Sequence, residues 1–361
     1  MRNIYLQIPI NSKDISDMAL ATVTRTEGST PQKPGSSALF SRNGLLAGTV
    51  GGGVLEGRVQ AIAKESLLSG KPYHHLFRLD SSISDGEDAL CGGKISVLID
   101  PCLSEHIPVL EALRKSSGSR IPGVLITLIT NAGNDITLIN RYWTTGKDIN
   151  LIHPELRQLV EHEIDGLISG SDSYDLREIK VPDTGKEPSR MIFLEPVIPP
   201  PRLIIAGAGH IGKALSQIGS MLDFEVTVID DRQEFANPEN IPYADHILNG
   251  DIGKAVTRIE KGADTYIVIV TRGHHDDGNA LKACIGSDAA YIGMIGSKNK
   301  VSLMHREFIE KSFATQEQWN RIFAPVGLDI KSKTVEEIAV SIAAQLVQVK
   351  NKPRTSNHGS M

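Results

Sequence analysis

Hydrophobic and polar positions give the chain two textures. In the first, "MALATVTRT" is apolar and β-branched, "EGSTPQKPG" has the Gly and Pro content of a loop, and "SSALF" and "LLAGTV" flank "SRNG" like the arms of a hairpin. A helix is predicted next. In "VLEGRVQAIAKESLLSG" the positions Val54, Leu55, Val59, Ile62, Ala63 and Leu67 fall near helical spacing, and Gly70 with Pro72 stops the run. Further strands are predicted at "KISVLIDP", "GVLITLIT", "DITLINRYW" and "MIFLEPVI".

The proline run "PVIPPPRL", residues 196–203, marks a boundary, because successive prolines hold an extended spacer. Beyond it come "RLIIAGAG", "EVTVIDD", "HILNGD", "TYIVIVT" and "AAYIGMIG", short buried-strand patterns mostly separated by helical stretches. That rhythm belongs to a parallel sheet with crossover helices. The last helix opens at "TVEEIAVSIAAQLVQV", where Thr334 and Glu337 match a capping box. The expected fold class is therefore α/β. An N-terminal mixed α/β domain (1–195) precedes a Rossmann-like, doubly wound parallel-sheet domain (196–350), and a polar tail follows (351–361).

Composition narrows the function classes. At 361 residues the chain is longer than one core usually supports, and 40% hydrophobic with 22% charged residues is ordinary for a globular protein. A formal net charge of -5 without a long Lys/Arg run argues against nucleic acid as a partner. No apolar run approaches the ~20 residues of a membrane helix, and the start lacks a secretory pattern. Three cysteines without a CxxC pair fit a reducing compartment, so a cytoplasmic location is expected.

The densest chemical motif is "RLIIAGAGHIGKAL", a strand, then Gly207, Gly209 and Gly212 in G-x-G-x-x-G order, then a helix beginning near His210. Gly207 permits a tight turn, Gly209 lets the backbone approach a pyrophosphate, and Gly212 lets helix and strand pack closely. Asp230 or Asp231, at the end of "EVTVIDD", can bind a ribose diol, which favours NAD-like over NADP-like recognition. The strand "TYIVIVT" is expected beside the first one, with the loop "RGHHDDG" at the ligand crevice. That loop carries His274 and Asp277, although Asp277 could equally feed a helix at "GNALKACIG". Ser297 can cap a further helix with Lys298 and Lys300 nearby, a second anion-friendly helix start or simply a capped surface helix.

In the first half, Gly51, Gly52 and Gly53 precede a helix, so their amides can form an anion nest or a plain tight turn. Glu56 suits the helix dipole but repels a phosphate unless it points away. Cys91 stands before Gly92 and Gly93, where small residues leave a thiol approachable; a buried inert cysteine is the commoner alternative.

Taken in order, "LATVTRTEGSTPQKPGS", "GTVGGGVLE", "CGGKISVLIDP", "PRLIIAGAGHIG", "VTRGHHDDGNAL", "YIGMIGSKNK" and "APVGLDIKSKTVEEIAVSIAAQL" resemble the XdhC/CoxI family of xanthine dehydrogenase accessory factors. The resemblance implies a chaperone more than a turnover enzyme. Such a protein binds molybdenum cofactor, as molybdopterin or its cytosine dinucleotide form, shelters it during sulfuration and assists its insertion into a molybdenum hydroxylase. It implies a cysteine desulfurase-type sulfur donor as a further partner, and Cys91 facing the molybdenum. Gly51, Gly52, Gly53, Glu56, Gly92, Gly93, the GAGHIG turn, His274 and Asp277 are the motif positions. The chain departs from the family at Gln32, where relatives often carry Arg, leaving Lys33 as a less directional charge. Symmetry preferences favour a homodimer. The alternative reading is an NAD-dependent oxidoreductase built on the Rossmann half.

Overall fold

The computed structural model describes residues 3–10, 12–79, 92–132, 135–148, 154–169, 176–179, 181 and 189–351. Cys91 and, apart from Asn351, the expected polar tail lie outside them. The fold divides into two compact units, the first ending at Pro199 and the second starting at Pro200.

The first unit holds β1 (Met18–Glu27), β2 (Ser37–Ser41), β3 (Gly44–Gly48), β4 (Tyr73–Arg78) and β5 (Lys94–Asp100) in one sheet, ordered β3-β2-β1-β5-β4. A second sheet, ordered β7-β6-β9-β8, contains β6 (Gly123–Ala132), β7 (Asp135–Thr144), β8 (Arg177–Ile179) and β9 (Ser189–Val197). Every pairing in both is antiparallel. Helices α1 (Ser12–Ile15), α2 (Gly53–Ser69), α3 (Ile107–Gly118) and α4 (Pro154–Ser169) complete the unit. Strand alternation explains the layering: Ala19, Ala21 and Val23 of β1 bury against Leu55, Val59 and Ala63 of α2, while Leu20 faces Leu110, Leu113 and Leu125. Val124 and Ile126 of β6 turn to Val160, Ile164 and Leu167 of α4.

A charged cluster fills the seam between the two sheets. Asp100, ending β5, pairs with Arg141 of β7 and accepts the Cys102 N–H at 2.8 Å, and all surface of the Asp100 side chain is buried. The His106 ring stands 3.7 Å from Asp100, and burial with the Arg141 charge pulls it down to about 4, so it is neutral. Arg141 is thus committed to Asp100. Glu195 of β9 is left with the Tyr5 hydroxyl, which donates at 2.6 Å, and burial outweighs this bond and Arg141 to push its carboxyl up to about 7.

The second unit is the expected doubly wound sheet. Strands β10 (Arg202–Ala206), β11 (Glu225–Asp230), β12 (His246–Asn249), β13 (Thr265–Ile269) and β14 (Tyr291–Met294) are all parallel, in the order β12-β11-β10-β13-β14. The helices are α5 (His210–Met221), α6 (Ile252–Arg258), α7 (His274–Lys282), α8 (Lys298–Glu310), α9 (Gln316–Asn320) and α10 (Val335–Lys350). Leu203, Ile205, Val226 and Val268 face Leu215 of α5 and Ile342 and Leu346 of α10. Ile204, Ile229, Ile267 and Ile269 face Val256, Leu281, Met304 and Phe308 on α6, α7 and α8. Both faces are covered, which is why these strands read as nearly continuous apolar runs. The Thr334–Glu337 capping box is present at α10.

The Glu195 carboxyl sets a pH dependence. Its folded-state value lies above the ordinary value of 4.5, so its contribution to stability is full below pH 4.5 and is lost as pH rises through about 7. Urea unfolding at pH 5 and pH 8 should show E195Q more stable than the parent at pH 8, by about 2 kcal/mol, and close to it at pH 5. An equal difference at both values would remove Glu195 as the source.

Candidate functional site

The glycine turn between β10 and α5 is dictated by close approaches. Gly207 has φ +118°, and a Cβ there would stand 2.4 Å from the Val270 carbonyl oxygen; a Cβ on Gly212 would stand 1.9 Å from the Gly207 carbonyl oxygen. These two glycines are required by packing alone. Gly209 is different: its φ of -69° suits any residue and nothing lies within 4 Å of a Cβ. Among the described residues no acceptor meets the N–H of Gly209, His210 or Ile211. Three donors thus converge at the positive end of a helix, beside space that a side chain would fill. His210, the first helical residue, is exposed.

Two of the acids around this turn, Asp230 and Asp277, point inward. Asp230 is 1% exposed; its carboxylate accepts the Ala208 N–H at 2.8 Å and both Arg232 Nε and a terminal guanidinium nitrogen at 2.8 Å. Burial alone would raise its pKa, but these bonds hold it at about 2. The Arg232 guanidinium also lies 3.9 Å from the centroid of the Phe235 ring. Asp230 is therefore a brace for the turn, and Asp231, with 56% of its side chain exposed, is the acid open to a diol.

Asp277 is fully buried, with Oδ1 accepting the Thr271 hydroxyl at 2.5 Å and N–H at 3.2 Å, and Oδ2 paired with Lys300. It has no surface left for a ligand. Helix α7 starts at His274 rather than at "GNALKACIG", because Gly273 serves as its N-cap and Asp277 falls in its first turn. The exposed ring of His274 reaches Glu307 at 3.4 Å, and His275 meets Asn279 at 3.1 Å. Ser297 caps α8 by accepting the Lys300 N–H at 3.3 Å. Among the described residues no group of three or more His, Cys, Asp or Glu is placed to hold a metal.

In the first unit, folding gathers three stretches remote in sequence. A Cβ on Gly51 would stand 2.8 Å from Pro31 Cγ, one on Gly93 would meet the Ser29 carbonyl oxygen at 2.2 Å, and Ser29 bridges Gly92. An open hollow of about 390 Å³ is lined here by Thr26, Thr30, Pro31, Gln32 and Lys33. The Gln32 side chain is held by the Ser36 hydroxyl at 2.9 Å. Glu56 folds back on its own helix start, accepting the Thr49 hydroxyl at 2.7 Å and the Val50 N–H at 3.4 Å, while the Gly51 N–H goes to the Thr49 hydroxyl. Gly52 and Gly53, with φ of +69° and +54°, have open space around a Cβ and no acceptor among the described residues. Burial pushes the Cys102 thiol up to about 11 and Cys284 up to about 12, so neither is a thiolate at neutral pH.

Pro31, Ser29 and Thr271 were not singled out from sequence, and Lys300 was read only as a cation near the Ser297 helix start, not as the partner of Asp277. The only signal for Thr271 and Lys300 was their nearness to Asp277 and Ser297 in two flanking motifs.

The second unit matches the XdhC Rossmann domain over residues 203–346, and the first matches the XdhC and CoxI family over residues 15–80. Together these spans exceed half the sequence. The chain belongs to the XdhC/CoxI family. Over 152 residues, 42% of this chain, it is 37% identical to the Escherichia coli K12 protein YqeB, of whose length this match spans 28%. Over 358 residues, 98% of this chain and 99% of the relative, it is 24% identical to a Bacillus subtilis 168 protein named as a probable xanthine dehydrogenase subunit. A solved Bacillus halodurans structure described as a xanthine dehydrogenase shares the fold with a TM-score of 0.74 and 23% identity, covering 99% of this chain and 98% of that one. No described helix is long and apolar enough to cross a membrane.

The glycines of this XdhC/CoxI turn should separate by role. G207A and G212A should lower stability by more than about 3 kcal/mol, since backbone must move, whereas G209A should change it by less than about 1 kcal/mol. Thermal melting of the three variants checks this, and equal losses would contradict the division.

Proposed function

We propose that this chain binds molybdenum cofactor as cargo, holds it during sulfuration and assists its insertion into a xanthine dehydrogenase-type molybdenum hydroxylase. Membership of the XdhC/CoxI family and the name of the Bacillus subtilis relative support a place in xanthine dehydrogenase maturation. The observation that carries the binding step is the open, glycine-lined helix start at Gly209, where free N–H groups face space that no side chain needs. The donor set fits an anionic group. The cargo brings a phosphate, or in its cytosine dinucleotide form a pyrophosphate, together with a molybdenum centre that takes up sulfur.

In this reading Gly209, His210 and Ile211 receive the anion, His274 contributes a polar contact at the crevice, and Asp231 is available to a ribose. Gly52 and Gly53 offer a second set of donors in the first unit. The resemblance to the family assigns the sulfur chemistry to Cys91, while burial keeps Cys102 and Cys284 protonated. A molybdenum hydroxylase and a cysteine desulfurase-type sulfur donor are the partners this function requires, in the cytoplasm, with the protein acting as a homodimer. The rival reading is an NAD-dependent oxidoreductase, in which Asp231 rather than the engaged Asp230 would receive the ribose.

Co-expression with cofactor biosynthesis, followed by metal analysis of the purified chain, is expected to find molybdenum retained. C91A should retain at least about fivefold less, about 1 kcal/mol of lost binding, with an unchanged melting temperature. Retention equal to the parent would take Cys91 out of the mechanism. In calorimetry, NAD should give no saturable binding; saturation with NAD would favour the oxidoreductase.

A further inference from the structure

The Val270–Thr271 peptide is the surface on which the glycine turn rests. A Cβ on Gly207 would stand 2.4 Å from the Val270 carbonyl oxygen and 3.1 Å from Thr271 Cα, so the two backbones touch with nothing between them. Thr271 is in turn held by Asp277, which accepts both its N–H and its hydroxyl. The other Asp277 oxygen is held by Lys300, in the first turn of α8. A continuous series of contacts therefore runs from α8 through Lys300, Asp277 and Thr271 to Gly207.

The links from Lys300 to Asp277 and from Asp277 to Thr271 are polar, and the last one, to Gly207, is a steric contact. Asp277 has no exposed surface, and Lys300 keeps only 26% of its side chain exposed, so water cannot readily replace either partner. From the other side the turn is braced by Asp230, which accepts the Ala208 N–H. Between these two braces stand the N–H groups of Gly209, His210 and Ile211. Their usefulness to an anion depends on being aimed at one point before the ligand arrives.

We propose that Lys300 is a positioning residue for the glycine turn at the head of α5, acting through Asp277 and Thr271 to keep the three free N–H groups converged. This rests on the turn being the anion site of the proposed function. Lys300 touches no ligand in this role. The competing account is a plain staple between α7 and α8, with no influence beyond them.

The double variant D277N/K300M separates the two. K300M alone leaves a buried carboxylate without its cation and can unfold the unit for that reason, whereas the double variant removes both charges together and keeps an amide oxygen for Thr271. Hydrogen exchange followed by mass spectrometry should show several-fold faster exchange over residues 207–213, where Gly207, Ala208 and Lys213 N–H are bonded, with residues 338–346 of α10 unchanged. Faster exchange confined to α7 and α8 would overturn the proposal. Titration with inorganic pyrophosphate supplies the second readout: affinity should fall at least about fivefold in the double variant, while its melting temperature stays near that of the parent. A parent protein indifferent to pyrophosphate would overturn the ligand reading itself, whereas the exchange result alone decides whether the clamp reaches the turn.

Discussion

The second unit depends on two missing methyl groups. Without a Cβ at Gly207 and Gly212, α5 settles onto the end of β10, with the Gly207 carbonyl oxygen lying where a side chain on Gly212 would be. That contact fixes the helix over Leu203 and Ile205, directs Leu215 into the core shared with α10, and leaves the first-turn N–H groups facing outward. The chemistry at the carboxyl edge of the sheet follows from this one steric fact, because a helix held farther away would not bring those donors together at the mouth of the crevice.

Charge at that edge is arranged mainly to hold backbone. Asp230 and Asp277 stand on either side of the turn, each takes a main-chain N–H, and each is neutralised by a cation from a neighbouring stretch, Arg232 and Lys300. A buried carboxylate given a cation and a backbone donor is held in place and turned away from a guest at the surface. The groups that remain outward are amides, the exposed imidazole of His274 and the carboxylate of Asp231. The first unit follows the same rule on a smaller scale, with Glu56 turned back to Thr49 and Val50 while Gly52 and Gly53 stay open.

Local rules made much of this legible in the sequence. The five parallel strands, the β2–β3 hairpin, the G-x-G-x-x-G turn and the Thr334 cap each rest on neighbouring residues, so pattern and spacing were enough. The directions taken by Asp230 and Asp277 were not legible, since they depend on a guanidinium two positions away and on a lysine of another helix. The seam cluster was also hidden: Tyr5, Asp100, Arg141 and Glu195 are far apart in the chain and share no spacing. Strand β4, which carries two histidines, and helices α3 and α4 were not among the predicted elements and were found only in the fold. For the site, the family resemblance named motif positions, and packing then divided them into those that brace and those that stay open.

Helix α10 has a consequence for how the protein is made. It shares one face of the parallel sheet with α5, and there Ala339, Ile342, Ala343 and Leu346 cover strand side chains and Gln345 accepts the Tyr291 hydroxyl. During translation the five strands and α5 emerge before this helix does, so the part of that face that α10 covers stays bare until residues beyond 335 have left the ribosome. A product interrupted before that point would expose a broad aliphatic surface, a target for chaperones and proteases rather than a partly working protein.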